Sequence, residues 1–316
     1  LQLFKRAVFQ PMQLIALVNC SAKKTAPVDA GLRASSLSRS SLWEISAEWH
    51  ARVERAGVHV RADKLYSGRG FEIAKRAAQT AGEHFYVLSA GMGLVRNDIP
   101  IPSYSLSVSR GGQDSILGQA TGRSRFGAHD WWHAVHATQG RIKPIGALLR
   151  RRPDALIIIA ATGPYLEMIG DELADLPDRL CARVRIVGVK NATLTSTRLR
   201  PLVMPYDARL NDPSLVLRGT EFDYPARALT HFVHLLRRDK GIQTVEDHAR
   251  RVRLSLAHLF APQRVVRQRI DDNFLCCAID TFKRDGVSKS RALDTLRNVM
   301  GLACEQHRFS DAWKNE

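Results

Sequence analysis

Cysteine is scarce and irregularly placed. The five residues Cys20, Cys181, Cys276, Cys277 and Cys304 are odd in number and show no CxxC spacing. Neither a disulfide framework nor a cysteine zinc site is indicated, and reduced thiols are expected. The histidines add no HExxH pattern and no HxxxH cluster with the partners a metal needs, so no metal is expected. No apolar run approaches the roughly 20 residues of a membrane span, and no charged-then-apolar leader is visible. A cytoplasmic protein without a membrane segment is the expectation. No GxGxxG or Walker loop follows any strand-like run, which disfavours dinucleotide and ATP binding and leaves no cofactor expected.

Negative charge is also in deficit. The chain carries 47 Lys+Arg against 31 Asp+Glu, a net +16 over 316 residues, with a pI near 10.1. A polyanion is the favoured partner, and nucleic acid or an anionic membrane surface both fit that balance. With 45% apolar and 25% charged residues the composition is that of an ordinary folded protein, long enough for one large core or two smaller ones.

What is present is a set of short apolar runs that end in polar corners. Residues 12–18 (MQLIALV) read as a buried strand that runs out into Asn19, Cys20, Ser21, Ala22, Lys23 and Lys24. Amide, thiol, hydroxyl and two ammonium groups at one strand end suit a phosphate or a polar base edge. A Schiff base at Lys23 or Lys24 is chemically open, but an anion contact fits those residues better. Residues 85–109 (FYVLSAGMGLVRNDIPIPSYSLSVS) read as a second strand that opens into a glycine-punctuated loop. Ser89, Ala90 and Gly91 keep its exit small and leave room for a ligand. Tyr104 follows the stiff Pro100–Pro102 segment, and the same stretch also fits a packed corner with a core tyrosine. Residues 155–161 and 184–189 supply two further buried runs, the first ending in Thr162, Gly163, Pro164 and Tyr165.

Helical spacing covers residues 42–56 and 70–81, with Tyr66 and Ser67 placed to line the same face as the central loop. Strands alternating with helices predict an α/β fold with a mainly parallel sheet, flanking helices and a site at its carboxyl edge. Residues 110–126 form a long Gly/Ser/Gln loop with Asp114 and Ser115, of a length that in compact domains is usually functional or disordered. Asp114 suits acid chemistry and equally suits capping the next turn. Asp130 opens a helix whose Trp131 and Trp132 suit either base stacking or docking on the sheet. Residues 1–11 read as an upstream extension, 12–210 as the α/β domain, and 222–316 as a smaller all-α domain. Within the last, residues 286–291 (GVSKSR) begin a helix in the manner of a helix-turn-helix recognition element, placing Lys289 and Arg291 for DNA. Residues 1–210 carry 29 Lys+Arg and 17 Asp+Glu, the remainder 18 and 14, so the basic excess belongs mainly to the α/β part.

In order, NCSAKKT, KLYSGRGFEIA, VLSAGMGLVRNDIPIPSY, SVSRGGQDSI and WW resemble a bacterial family with CSxxK, LYxG, LSAxyGL and PY motifs. That family is similar to the YaaA proteins and to the uracil-DNA-glycosylase-like domain of archaeosine transglycosylases. The likeness covers roughly residues 12–190, and the architecture resembles that of Brig-type anti-phage DNA glycosylases. It departs at Met92, where an aromatic residue is usual, and it lacks the GQDPYH signature of uracil-DNA glycosylases.

The resemblance implies a uracil-DNA-glycosylase-like fold. It also implies an enzyme that flips a modified base, glucosylated hydroxymethylcytosine, out of double-stranded phage DNA and excises it, leaving an abasic site. Bond cleavage develops oxocarbenium charge, so a carboxylate near C1′ lowers the barrier. Asp114 takes that role here, with Asp98 in reserve and Asn19 polarising the base. Cys20, Ser21, Ser89, Ala90, Gly91, Tyr104 and Ser115 then contact the base, and Lys23, Lys24 and Arg110 hold flanking phosphates. A non-catalytic YaaA-like DNA binder and a transglycosylase-like base exchanger are the alternative readings.

Overall fold

The computed structural model describes residues 13–120, 125–189, 196–215, 217, 219–237, 242–262 and 266–315. The expected extension at 1–11 lies outside the described residues. Two compact units divide the chain, Leu1–Ala261 and Pro262–Glu316.

The first unit is built on β1 (Gln13–Asn19), whose consecutive residues Leu14 to Val18 are all buried. A strand covered on both faces needs such an unbroken apolar run. After β1 come α1 (Leu42–Glu54), β2 (His59–Arg61), α2 (Ala62–Leu65) and α3 (Arg69–Ala81). Ser41 and Glu44 start α1 as a reciprocal capping box, which satisfies two of the N–H groups a helix start leaves free. Next are β3 (Tyr86–Ser89), β4 (Gly93–Arg96), β5 (Pro100–Pro102), α4 (Ala128–Thr138), α5 (Pro144–Arg151) and β6 (Ala155–Ala160). The unit closes with α6 (Gly163–Ala174), α7 (Asp178–Cys181), β7 (Val184–Val187), α8 (Tyr224–Leu236) and α9 (Val245–Ser255).

The sheet order is β4-β3-β1-β6-β7. β3, β1, β6 and β7 run parallel, and β4 alone is antiparallel, paired to β3 with Ser89 opposite Gly93. The expected α/β fold with a mainly parallel sheet is therefore present. The stretch after β3 differs from its sequence reading: it is a tight hairpin rather than an open loop. Gly93, at φ +72°, makes the return, a conformation that costs glycine little.

From β1 the chain crosses to β3 on one side and later to β6 on the other. Right-handed crossovers running in opposite directions put α3 and α6 on opposite faces. α3 packs with α8 on the first, and α4 packs with α1 and α6 on the second. The point where the strand order reverses, at the carboxyl ends of β1 and β6, is where such sheets open a crevice.

The domain division expected at residue 222 gives way to one after Ala261. The reason is packing: Ala228, Leu229, Phe232 and Val233 of α8 and Val252 of α9 belong to the core of the sheet unit. The second unit contains α10 (Asp272–Arg284), α11 (Lys289–Asp294) and α12 (Gln306–Asn315) around Leu275, Ile279, Leu296 and Phe309. It also holds a two-residue parallel pair, β8 (Gln268–Arg269) with β9 (Leu302–Ala303), so it is helical with a minimal β element rather than purely α. The helix expected to begin at residues 286–291 as a recognition element is the six-residue α11, followed by a π-helical turn, Thr295–Val299. Lys289 is half-buried at its start and Arg291 is exposed.

Candidate functional site

Three strand exits converge at the reversal point. Beyond β1, the Cys20 N–H donates to Leu88 O at 3.0 Å, which continues the pairing of β1 with β3 and buries the thiol. Cys20 Sγ lies 3.0 Å from the hydroxyl of Tyr165, in the first turn of α6. The carboxyl ends of β1 and β6 are thus bridged by a thiol and a phenol.

At the end of β3, Ser89 Oγ accepts from the Met92 N–H at 2.9 Å and from the Tyr66 hydroxyl at 3.1 Å. With both lone pairs used, its own proton points to Tyr104 Oη, 2.7 Å away. The Tyr66 and Tyr104 hydroxyls are 2.9 Å apart, and Tyr104 donates to Cys20 Sγ at 3.8 Å. Burial is the chief force raising the phenols of Tyr66, Tyr104 and Tyr165 above their ordinary range, with the Cys20 thiol raising them further. All three stay neutral. The result is a buried chain of neutral hydroxyls, Tyr66 to Ser89 to Tyr104 to Cys20, whose protons are spent within it.

Lys24 covers this network. Its backbone bridges Tyr66, and Nζ lies 4.4 Å from the centre of the Tyr104 ring and 5.7 Å from that of Tyr66. Burial pulls the ammonium below the ordinary lysine range, while Cys20 and Asp114 pull it back up. Asp114 therefore sits within electrostatic reach of Lys24. Its carboxylate accepts from the Ser35 N–H at 3.1 Å and the Ser35 hydroxyl at 2.6 Å, with Arg33 at 3.4 Å. Burial alone would raise its pKa, but hydrogen bonds from Ser105 and Ser35 and the Arg33 charge outweigh it and hold the carboxyl below its usual range. Asp114 is ionised, and it also pins the 107–115 loop to the segment around Ser35.

The remaining residues named from the sequence divide. Asn19 Nδ2 donates to Cys20 O at 3.1 Å, and Ser21 Oγ accepts from the Lys23 N–H at 3.1 Å; both serve the turn after β1. Lys23 and Arg110 are exposed. Ser115 is buried with no hydrogen bond to Oγ. Asp98 is placed elsewhere: it pairs with Arg96 at the far end of β4. Because β4 runs antiparallel, with Arg96 opposite Tyr86, that end lies at the amino edge of the parallel strands, remote from Cys20 and Ser89. Lys289 and Arg291 belong to the second unit.

The expected room beside Ser89, Ala90 and Gly91 is filled. A Cβ on Gly91 would meet Tyr104 Cε2 at 2.6 Å and Trp49 Cζ2 at 3.0 Å. The Trp49 and Trp131 indoles donate to Gly91 O and Ala90 O, each at 2.7 Å. The tryptophans thus lock the hairpin; Trp131 and Trp132 are both buried, as the docking reading had it, and neither is free to stack on a base.

Sequence reading missed three participants. Tyr165 carries no signal beyond its place after a strand exit, and Trp49 is one of several apolar positions on α1. His136 accepts from the Leu94 N–H through Nε2 at 3.0 Å and donates through Nδ1 to Trp132 O at 2.9 Å. Burial, the largest cause, lowers its pKa to about 4, so it is a neutral clamp on β4. Among the described residues no group of three His, Cys, Asp or Glu side chains could hold a metal ion, and no helix is long and apolar enough to cross a membrane. No protein-family model, curated protein or solved structure matches this chain.

Proposed function

We propose that the chain is a DNA N-glycosylase that excises a modified base at the crevice between β1 and β6. The observation that carries this reading is the position of Lys24 over the rings of neutral Tyr104 and Tyr66, beside buried Ser89, with ionised Asp114 acting on it electrostatically. Breaking an N-glycosidic bond places positive charge on the sugar and negative charge on the departing base. A carboxylate answers the first charge, and the Ser89, Tyr66 and Tyr104 hydroxyls answer the second when one of them turns its proton from the network to the base. The Lys24 side chain covers the Tyr104 ring, so the base reaches the hydroxyls only as that side chain swings aside.

The basic charge supports DNA as the substrate. Residues 1–261 carry 37 Lys+Arg against 23 Asp+Glu, and residues 262–316 carry 10 against 8. Phosphates are therefore gripped mainly by the sheet unit, where Lys23, next to Lys24, and Arg110 are both exposed. The helix–turn–helix segment around Lys289 and Arg291 adds a second contact. A uracil-DNA-glycosylase-like fold, a glucosylated hydroxymethylcytosine substrate, an anti-phage role and a cytoplasmic location belong to the same reading through the motif resemblance.

A non-catalytic DNA binder is the second reading, and the filled space beside Gly91 favours it. Abasic-site counting separates the two. Incubating the protein with DNA carrying cytosine, hydroxymethylcytosine or its glucosylated form, then labelling aldehydes, should give sites on one DNA only. No labelling on any of them, with DNA bound, would leave the binder.

A further inference from the structure

The geometry points to Lys24 as a nucleophile that attacks C1′ of the sugar, making the enzyme a glycosylase with a covalent imine intermediate. This rests on the glycosylase reading and specifies which group at that site forms the bond.

Three observations converge on the residue. First, Lys24 stands at the crevice itself, bridged to Tyr66 and with Nζ 4.4 Å from the Tyr104 ring centre. Second, its amine is not tied up in the fold. Lys75 donates to Asp63 O at 2.7 Å and Lys143 pairs with Asp175 at 3.0 Å, whereas the Lys24 hydrogen bond is a long 3.5 Å contact to Ala22 O. Among the described residues no carboxylate forms an ion pair with it. Third, a second aromatic ring faces the amine, that of Tyr66 at 5.7 Å from Nζ.

An amine nucleophile must be unprotonated, and a lysine achieves this by desolvation. The ring faces around Nζ desolvate it, and burial shifts its pKa downward in that direction, against the upward pull of Cys20 and Asp114. Lys23, exposed one residue earlier, has no such surroundings.

The step balances as follows. The neutral amine gives its lone pair to C1′ as the bond from C1′ to the base nitrogen breaks, and the base leaves with that pair and takes up a proton. The new ammonium loses a proton, and the nitrogen lone pair then expels O4′, which is protonated as the sugar ring opens. A C1′ iminium results, and water returns it to free amine and abasic aldehyde. Loss of a C2′ proton from the same iminium expels the 3′ phosphate, nicking the strand.

Borohydride reduces such an iminium to a stable amine, so the intermediate can be captured on DNA that already holds an abasic site. This probe needs no knowledge of the base. The full chain should give a covalent adduct whose cross-linked peptide contains Lys24. Lys24→Arg should lose at least 100-fold of the adduct while binding the duplex within about threefold of wild type. The surface control Lys143→Gln, which removes a lysine paired with Asp175, should keep it. An adduct that survives Lys24→Arg, or maps to another amine, would overturn the inference. So would base release from modified DNA without any trapped adduct, which leaves the glycosylase standing with water as nucleophile. Trapping at Lys24 without base release from any DNA would keep the nucleophile and overturn the glycosylase reading instead.

Discussion

Cys20 and Tyr165 meet between the carboxyl ends of β1 and β6, thiol sulfur to phenol oxygen at 3.0 Å. The residues are 145 positions apart, yet the contact fixes the relation between the two strand exits that carry the site. Tyr104 touches the same sulfur from the β3 side, so one thiol ties three strand ends together.

The hydroxyl network should contribute measurably to stability. Tyr104→Phe removes the acceptor for Ser89 and the neighbour of Tyr66 in a fully buried position. Leaving a buried donor unsatisfied costs about 1–3 kcal/mol, and urea unfolding should show a loss of that size with an unchanged m-value.

Gly91 is required by space. Gly91→Ala sets a Cβ 2.6 Å from Tyr104 and strains the Trp49 hydrogen bond to Gly91 O. Overpacking of this kind costs about 1–3 kcal/mol. Thermal unfolding of the variant should fall accordingly, and base release should fall with it as Tyr104 shifts.

His136 makes stability fall in mild acid. Its pKa is depressed to about 4 in the fold against about 6.5 when unfolded. Above pH 6.5 both states are neutral and the stability is fully present. Between pH 6.5 and 4 only the unfolded chain takes up the proton, so stability is lost at about 1.4 kcal/mol per pH unit, about 3 kcal/mol in all. Chemical denaturation across that window should show this slope in wild type and lose it in His136→Gln.

How much of this was legible in the chain follows from what each signal encodes. β1 and β6 are unbroken apolar runs, and a strand buried on both faces writes itself in the sequence that way. β4 does not: Gly93 to Arg96 is four residues of mixed character, and its pairing is set by the turn and by His136. The stripe on α8 was legible as helix, but nothing in it says that it packs on α3 rather than founding a second domain. Cys20, Ser89 and Tyr66 stood out because they end strands or begin helices. Tyr165 and Trp49 did not, because their role depends on what the fold brings opposite them.

DNA binding should be steeply salt-dependent, since the sheet unit carries most of the excess positive charge. Lys23→Gln removes an exposed cation beside the site. It should weaken binding uniformly across DNA sequences and reduce the slope of log K against log salt by about one, as fluorescence anisotropy at several salt concentrations would reveal.

On the proposed function, Asp114 and Lys24 break a glycosidic bond near the Ser89, Tyr66 and Tyr104 hydroxyls. Mass spectrometry of free bases tests it most directly, on DNA carrying cytosine, hydroxymethylcytosine or glucosylated hydroxymethylcytosine, with wild type and Asp114→Asn side by side. Release of one modified base by wild type is the predicted result, with at least a 100-fold loss in Asp114→Asn and DNA affinity kept within about threefold. Tight binding with no base released from any of the three DNAs would contradict it.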